Sequence, residues 1–275
     1  MAIITVSRQY FSCGDEICKR LAEKMNYKFI DKKVIREKML QLGFDEKKLE
    51  KFDGVKPGFF SIFSLGRESY LHCLRTAILM LVADGNCVVV GRGAFLFLKN
   101  LKNHISVQIF EERRLRTKRA METLGLSVNE AIKKVKREDM HQFGFYKTNF
   151  KFRLKDYFKH NIMINSGETD IESAACTIEA FAKSYITEKK EEEGKAYLDE
   201  LLVGQRIANL LIFAYDLQID EFVVDFDRNS KTVVLNGITS SSATVERAIQ
   251  ILACEIPEYS VKSKIRVVQD SYSRR

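Results

Sequence analysis

The sequence lacks three features that would assign it to a membrane, a metal-binding class or a secretory route. No apolar run reaches the roughly 18 residues that a membrane-spanning helix needs, so integral membrane contact is not expected. The six cysteines include no C-x-x-C pair and the four histidines do not complete a ligand set, which argues against a metal site. No basic and apolar leader precedes the first strand-like segment, and we expect a cytoplasmic protein.

The charge is distributed unevenly along the chain. The 275 residues are 45% hydrophobic, enough for one large core or for one core and a small second domain. Residues 1–186 hold 33 Lys and Arg against 22 Asp and Glu, a net charge of +11, whereas residues 196–275 hold 9 against 11, a net of −2. The basic part favours an anionic partner such as nucleotide phosphate or nucleic acid, although a solvated basic surface accounts for most of its lysines.

Apolar runs typical of buried strands alternate with helical patterns over the first two thirds of the chain. This alternation predicts an α/β fold with a doubly wound parallel sheet and helices on both faces. Ligands of such sheets bind at the carboxyl ends of strands, which here carry Ser7, Arg8, Asp31 and the run Gly91-Arg92-Gly93. The predicted strands are AIITVS (2–7), YKFID (27–31), CVVVGRG (87–93), HISVQIF (104–110) and NIMINSG (161–167), with a long helix over about 68–83 and basic helices ending near Met140.

A second, smaller folding unit follows a charged stretch. Residues 187–195 are charged, contain Gly194 and have no apolar period, which predicts an exposed linker after a domain of residues 1–186. Residues 196–275 then predict a small α+β module of αββαβ order, in which Ser242 caps the second helix. Its elements are a helix over about 196–216, strands over 221–226 and 231–238 joined by the turn DRNS, that second helix, and a strand over 262–268.

The segment VSRQYFSCGDEICKRLAEKM (6–25) has the strand, loop and helix layout of a phosphate-binding loop. Phe11 and Cys13 stand where glycines are expected, and a left-handed backbone costs a non-glycine residue on the order of 1–2 kcal/mol. Asp15 stands where a cation would help, and at about 5 Å it repels each phosphate charge by roughly 3 kcal/mol. This loop is therefore better suited to standing empty than to holding a triphosphate.

The opening ITVSRQYFSCGDEICKRLAEKMNYKFIDKKVI, with VVVGRGA (88–94), RTKRAMETLGLS (116–127) and NIMINSG, resembles the cytidylate kinase-like P-loop family, of nucleoside monophosphate kinase fold. The resemblance covers nearly all of residues 1–186 and implies ATP and Mg²⁺ as cofactors. It also implies a helical lid that brings arginines over the phosphoryl group, but DMHQFGFY (139–146) has Gln142 and Phe145 in place of the family's arginine and first tyrosine.

The resemblance assigns roles to eight residues and no metal ligand. It implies catalytic roles for Arg92, Arg116 and Arg119, and cofactor-binding roles for Ser7, Arg8, Ser12, Gly14 and Asp31. Three of these assignments compete with simpler explanations. A solvated basic helix face accounts equally well for Arg116 and Arg119, and Asp31 could serve only to cap the following helix.

In the C-terminal module, the order αββαβ, with VVLNGITSSSATVERAIQILACEI (233–256) followed by VKSKIRVV (261–268), resembles a BON domain, and that resemblance implies protein or lipid contacts. Its net charge of −2 favours a protein partner or self-association. Three hypotheses remain: a nucleotide-binding pseudokinase with an interaction module, an active nucleotide or small-molecule kinase, and a basic nucleic-acid-binding protein. The aromatic run FGFYKTNFKF (143–152) would suit base stacking under the last hypothesis. Without an RNA-binding fold signature, we expect it to pack against the protein's own core.

Overall fold

The computed structural model describes residues 1–54, 64–153, 156 and 159–268. The chain divides into two compact units, Met1–Lys195 and Ala196–Arg275. No helix among the described residues is both long enough and apolar enough to cross a bilayer.

The first unit is an α/β domain with a five-stranded sheet in the order β2-β3-β1-β4-β5, in which all neighbouring strands are parallel. The central strands are buried along nearly their whole length, which explains why they read as continuous apolar runs. The parallel sheet predicted from the sequence is confirmed. Its strands are β1 Ile3–Arg8, β2 Lys28–Ile30, β3 Cys87–Val90, β4 His104–Phe110 and β5 Ile162–Asn165.

Helices flank this sheet, and local sequence signals set where several of them begin. Asp31 caps α2, Ser127 forms a capping box with Glu130 at α7, and Asp170 caps α8. Apolar residues of α1 and α8 pack against β1, β3 and β4 in one buried cluster. The helices are α1 Gly14–Met25, α2 Lys32–Gln41, α3 Glu46–Gly54, α4 Ser64–Val82, α5 Ala94–Phe97, α6 Arg113–Leu124, α7 Val128–Phe150 and α8 Ile171–Tyr185.

Two boundaries differ from the prediction in ways that shape the site. The strand predicted over 87–93 ends at Val90, because Gly91, Arg92 and Gly93 take positive φ angles of 77°, 53° and 71° and leave the ladder. The basic helices predicted to end near Met140 continue to Phe150, since α7 carries apolar side chains into the aromatic run.

The second unit has the predicted αββαβ order. It begins within α9 (Glu188–Asn209) and continues with a π-helical segment Leu210–Ala214, β6 Asp220–Asp227, β7 Thr232–Thr239, α10 Ser242–Glu255 and β8 Ser260–Val267. The sheet order is β6-β7-β8, antiparallel between β6 and β7 and parallel between β7 and β8. Ser241, not Ser242, is the N-cap of α10, because the extended backbone at Ser241 places Ser242 in the first turn.

Residues 187–195, predicted as an exposed linker, instead form the start of α9, so the connection between the two units is helical. Glu188 and Glu191 lie in the first helical turn, where acidic side chains complement the helix dipole. Glu191 also pairs with the amino group of Met1. Gly194 is buried against Asn103, whose Nδ2 donates a 3.0 Å hydrogen bond to the Met1 carbonyl. The charged stretch is thus solvated on one face and packed on the other.

We expect Gly194→Ala to destabilise the protein by about 1–3 kcal/mol, the usual cost of overpacking a buried site. A Cβ at this position would overlap Oδ1 of the buried Asn103. In an exposed linker the same change would be neutral or stabilising. Lys195→Ala, at the exposed neighbouring residue, is the matched control. Urea unfolding of both variants measures the difference, and equal stability of the two would contradict the packed helix.

Candidate active site

The carboxyl ends of β1 and β3 border a cleft of about 450 Å³. The loop between β1 and α1 forms one wall and α7 contributes the opposite residues. Ligands of doubly wound sheets bind at this edge. Of the eight residues assigned from the sequence, the lining contains Arg8, Ser12, Gly14, Arg92 and Arg119.

The loop keeps a glycine-like backbone without the glycines. Phe11 and Cys13 have φ angles of 60° and 53°, both in the left-handed region. Their side chains offset part of that strain by packing into the protein. Phe11 contacts the apolar cluster between α6 and α7, and its ring meets that of Tyr10 edge-on at 4.7 Å. Cys13 packs against the main core, where burial raises its thiol pKa although Arg119 opposes the shift.

Arg8 crosses the start of α1 and pairs with Asp15. The Arg8 Nε lies 2.7 Å from the Asp15 carboxylate. The aliphatic part of the Arg8 side chain passes so close to Gly14 that a Cβ on Gly14 would lie 2.5 Å from the Arg8 Cγ. Burial acts to lower the pKa of Arg8, but the charge of Asp15 and the hydrogen bond to it, with smaller contributions from Tyr146 and Cys18, together raise the pKa. The arginine nearest the loop therefore already has an anionic partner.

Arg119 is held by a carboxylate that the sequence analysis did not single out. It forms two hydrogen bonds to Glu111, of 2.5 and 2.9 Å, and a third to the Phe11 carbonyl. The Glu111 side chain is 1% exposed, and the hydrogen bonds that it accepts from Arg119 raise the pKa of that arginine. Glu111 directly follows the buried run HISVQIF. An acidic residue at the carboxyl end of a strand is the sequence feature that could have identified it as part of the site.

Arg116 is buried and connects three parts of the site. Its donors reach the Glu111 carbonyl at 3.0 Å, the Tyr10 carbonyl at 3.1 Å and Asp139 at 2.9 Å. Asp139 also accepts from the Tyr10 N–H at 3.4 Å. The side chain of Arg116 is 3% exposed. Arg116 therefore neither lies on a solvated helix face nor contacts a ligand in the cleft directly. It ties the loop to β4 and α7.

Residues that depart from the family pattern in α7 contact the loop and the β3–α5 turn. The Gln142 Nε2 donates a 2.9 Å hydrogen bond to the Arg8 carbonyl. Phe145 lies beneath the Arg92 guanidinium, 5.8 Å from ring centroid to Cζ. Beyond it, Tyr146, Phe152 and Phe95 form a buried aromatic cluster with partly buried Phe143 and Phe150. The expectation that the aromatic run packs against its own core is confirmed.

The remaining assigned residues have local structural partners. Ser12 donates to the Gln9 carbonyl at 2.8 Å within the loop, and Ser7 Oγ lies 3.4 Å from the His160 ring. Asp31 accepts from the N–H groups of Lys33 and Val34 at 2.9 and 3.0 Å, which makes it the cap of α2. Over the described part of the chain, no three His, Cys, Asp or Glu side chains are placed to hold a metal ion.

We expect Asp139→Ala to cost about 3 kcal/mol, the low end of the range for breaking a buried ion pair, because it leaves the buried Arg116 without its counter-ion. Glu122→Ala is the control, since Glu122 lies on the neighbouring α6 with a 65% exposed side chain. Its loss should stay within about 0.5 kcal/mol. Urea unfolding measures the free energy of unfolding of both variants. A cost below about 1 kcal/mol for Asp139→Ala would show that the ion pair with Arg116 does not stabilise the protein.

Comparison with known proteins places this site in a family. Residues 3–168 match the model of the cytidylate kinase-like family. An uncharacterised protein from Eubacterium ventriosum is 24% identical over 66% of this chain and 98% of its own, with a TM-score of 0.52. None of the curated proteins matches the chain.

Two kinases of known name are also similar in structure. Shikimate kinase from Bacteroides thetaiotaomicron is 17% identical over 66% of this chain and 98% of its own, with a TM-score of 0.37. A gluconokinase from Sinorhizobium meliloti is 12% identical over 66% and 94%, with a TM-score of 0.40. The family model spans more than half of the sequence, from β1 to the turn after β5. The chain therefore belongs to the cytidylate kinase-like family.

Proposed function

We propose that the first unit is a catalytically impaired, nucleotide-binding or regulatory pseudokinase, and that residues 196–275 form a BON-like protein-interaction domain. The observation that carries the first part is the ion pair between Arg8 and Asp15 at the start of α1. An active member of the family would need net positive charge at this point, because phosphoryl transfer depends on positioning and charge neutralisation.

The charge around the loop does not suit ATP with Mg²⁺. Arg8, Arg116 and Arg119 each have a carboxylate partner in Asp15, Asp139 and Glu111. A triphosphate would have to displace Asp15 or accept a repulsion of roughly 3 kcal/mol per charge at about 5 Å. Gln142 brings no positive charge to the cleft.

The cleft nevertheless keeps the dimensions of a small-molecule site. Its volume of about 450 Å³ lies within the range of ligand pockets, and its lining includes aromatic Phe145 and Tyr146 as well as Arg92. A ligand carrying fewer charges than a triphosphate, such as a nucleoside monophosphate, would meet less repulsion from Asp15. Nucleotide binding without phosphoryl transfer is the function that this balance of shape and charge supports best.

The interaction role of the second unit rests on its composition and topology. Its αββαβ order matches that of the BON pattern. A surface for anionic lipid gains about 1 kcal/mol per basic residue near the membrane, whereas residues 196–275 have a net charge of −2. A protein partner fits this charge better than a lipid surface does.

We expect ATP with Mg²⁺ to bind weakly or not at all, and phosphoryl transfer to CMP to be negligible. Titration calorimetry with ATP and CMP, with and without Mg²⁺, measures binding, and a coupled assay measures turnover. Arg92→Ala is the companion variant because Arg92 lines the cleft. A dissociation constant for ATP in the low micromolar range that is lost in Arg92→Ala, or turnover of about 1–100 per second, would identify an active kinase instead.

We expect Asp15→Lys to strengthen ATP binding at least about tenfold, which corresponds to 1.4 kcal/mol, without restoring turnover. The change removes a repulsive charge, but Phe11 and Gln142 stay in place, and groups that act on one transition state are not additive. Glu23→Lys is the matched control, an equal charge change at a 69% exposed position of the same helix. Equal affinities of the two variants would show that Asp15 does not govern binding.

A further inference from the structure

The sheet of the second unit has one face that the described residues do not cover. Residues alternate along its strands, and one set, which includes Phe222, Val224, Val233 and Leu235, lies in the core beneath α9 and α10. The other set points away from that core. Its members are Asp220, Val223, Asp225 and Asp227 on β6, Thr232, Val234, Asn236 and Ile238 on β7, and Ser260, Lys262, Lys264 and Arg266 on β8, all exposed or half-buried.

The charges on this face are separated by strand. The β6 column is acidic (Asp220, Asp225 and Asp227), the β8 column is basic (Lys262, Lys264 and Arg266), and the β7 column between them has no charge. We name this surface, with its three columns, the charged face. The ladder register aligns Asp225, Val234 and Lys262 at one level. Because neighbouring strands lie about 4.8 Å apart, the acidic and basic columns are separated by about 10 Å.

The columns are left without ionic partners in the described part of the chain. Lys262, Lys264 and Arg266 form no ion pair within 4.0 Å of a described acid. Asp225 accepts a 2.9 Å hydrogen bond from the Asn236 side chain, which positions it but leaves its charge in place. The Ser230 hydroxyl lowers the pKa of Asp227, so the Asp227 carboxylate stays ionised.

We propose that the charged face binds the charged face of a second copy of the chain. A two-fold axis parallel to the strands and passing over β7 would place the acidic β6 column of one copy on the basic β8 column of the other. Asp225 would then face Lys262 of the partner subunit at the same level, and the relation would occur twice by symmetry. The uncharged β7 columns would meet each other at the centre, in the aligned manner of packed sheets.

Other occupants match this face less well. A nucleic acid or an anionic membrane drawn to the basic column would meet Asp225 and Asp227 about 10 Å away. Pairing of two β8 edges would bring lysines against lysines, the arrangement by which edge strands avoid association. The three strands of 8 residues each offer a small area, so we expect a weak and salt-sensitive dimer. The inference rests on the proposed interaction role of this unit and is independent of the pseudokinase proposal.

Sedimentation velocity tests this pairing of two copies. The full chain is measured over a range of protein concentrations, at low and at high salt. We expect a monomer–dimer equilibrium that weakens as salt rises. Asp225→Lys alone and Lys262→Asp alone should each raise the dissociation constant at least about tenfold, because each creates two like-charge pairs. An equimolar mixture of these two variants should recover a dimer, since both of its cross-pairs are then attractive.

The mixture separates pairing between copies from a folding defect, because a misfolded variant would not be rescued by its partner. Glu246→Lys and Arg247→Glu, exposed on α10, are the matched controls and should leave the dissociation constant unchanged. Dimers that tolerate both reversals, or a mixture that stays monomeric, would overturn the charged face as the contact. A chain that stays monomeric at every concentration overturns self-pairing alone. If that monomer also sediments with acidic vesicles and Lys262→Asp abolishes the binding, the protein-interaction role fails as well.

Discussion

The ion pair between Arg8 and Asp15 determines the electrostatics of the cleft. Its two side chains close across Gly14, the residue at the start of α1, and occupy the space where a phosphate would meet the helix terminus. An acidic residue in a first helical turn stabilises the helix without any ligand. The same carboxylate that stabilises the start of α1 would therefore oppose an anionic ligand there, and the two effects have one cause.

The loop is held in its left-handed shape by the protein's own groups. Arg119 hydrogen-bonds the Phe11 carbonyl, Arg116 the Tyr10 carbonyl, and Gln142 the Arg8 carbonyl. These side chains come from α6 and α7, so both helices are fastened to the loop. The strain at Phe11 and Cys13 persists because the surrounding contacts over-determine the backbone there. In this chain, the basic helix contributes structural contacts at positions where the family resemblance implies phosphate contacts.

The second unit shows how a small net charge conceals a strong separation of charge. Residues 196–275 have a net charge of −2, yet β6 and β8 carry opposite columns on one face of the sheet. A surface of this kind interacts through its pattern more than through its total charge. The buried face of the same strands supplies the core, so one sheet carries both stability and the candidate contact.

The sequence by itself determined the class of fold. Its buried parallel strands appear as continuous apolar runs, and its helices appear as apolar residues at helical spacing. It also placed Arg8 and Arg92 at carboxyl ends of parallel strands, which meet at one sheet edge, and both line the cleft there. Only the tertiary structure decided which partners the arginines take. Glu111 and Arg119 are 8 residues apart, whereas Arg116 reaches Tyr10 across 106 residues, a contact that local patterns do not encode. Gly194 likewise packs on Asn103, 91 positions away in the numbering, and local patterns do not encode this contact either. The sequence therefore predicted a linker where the structure has a helix.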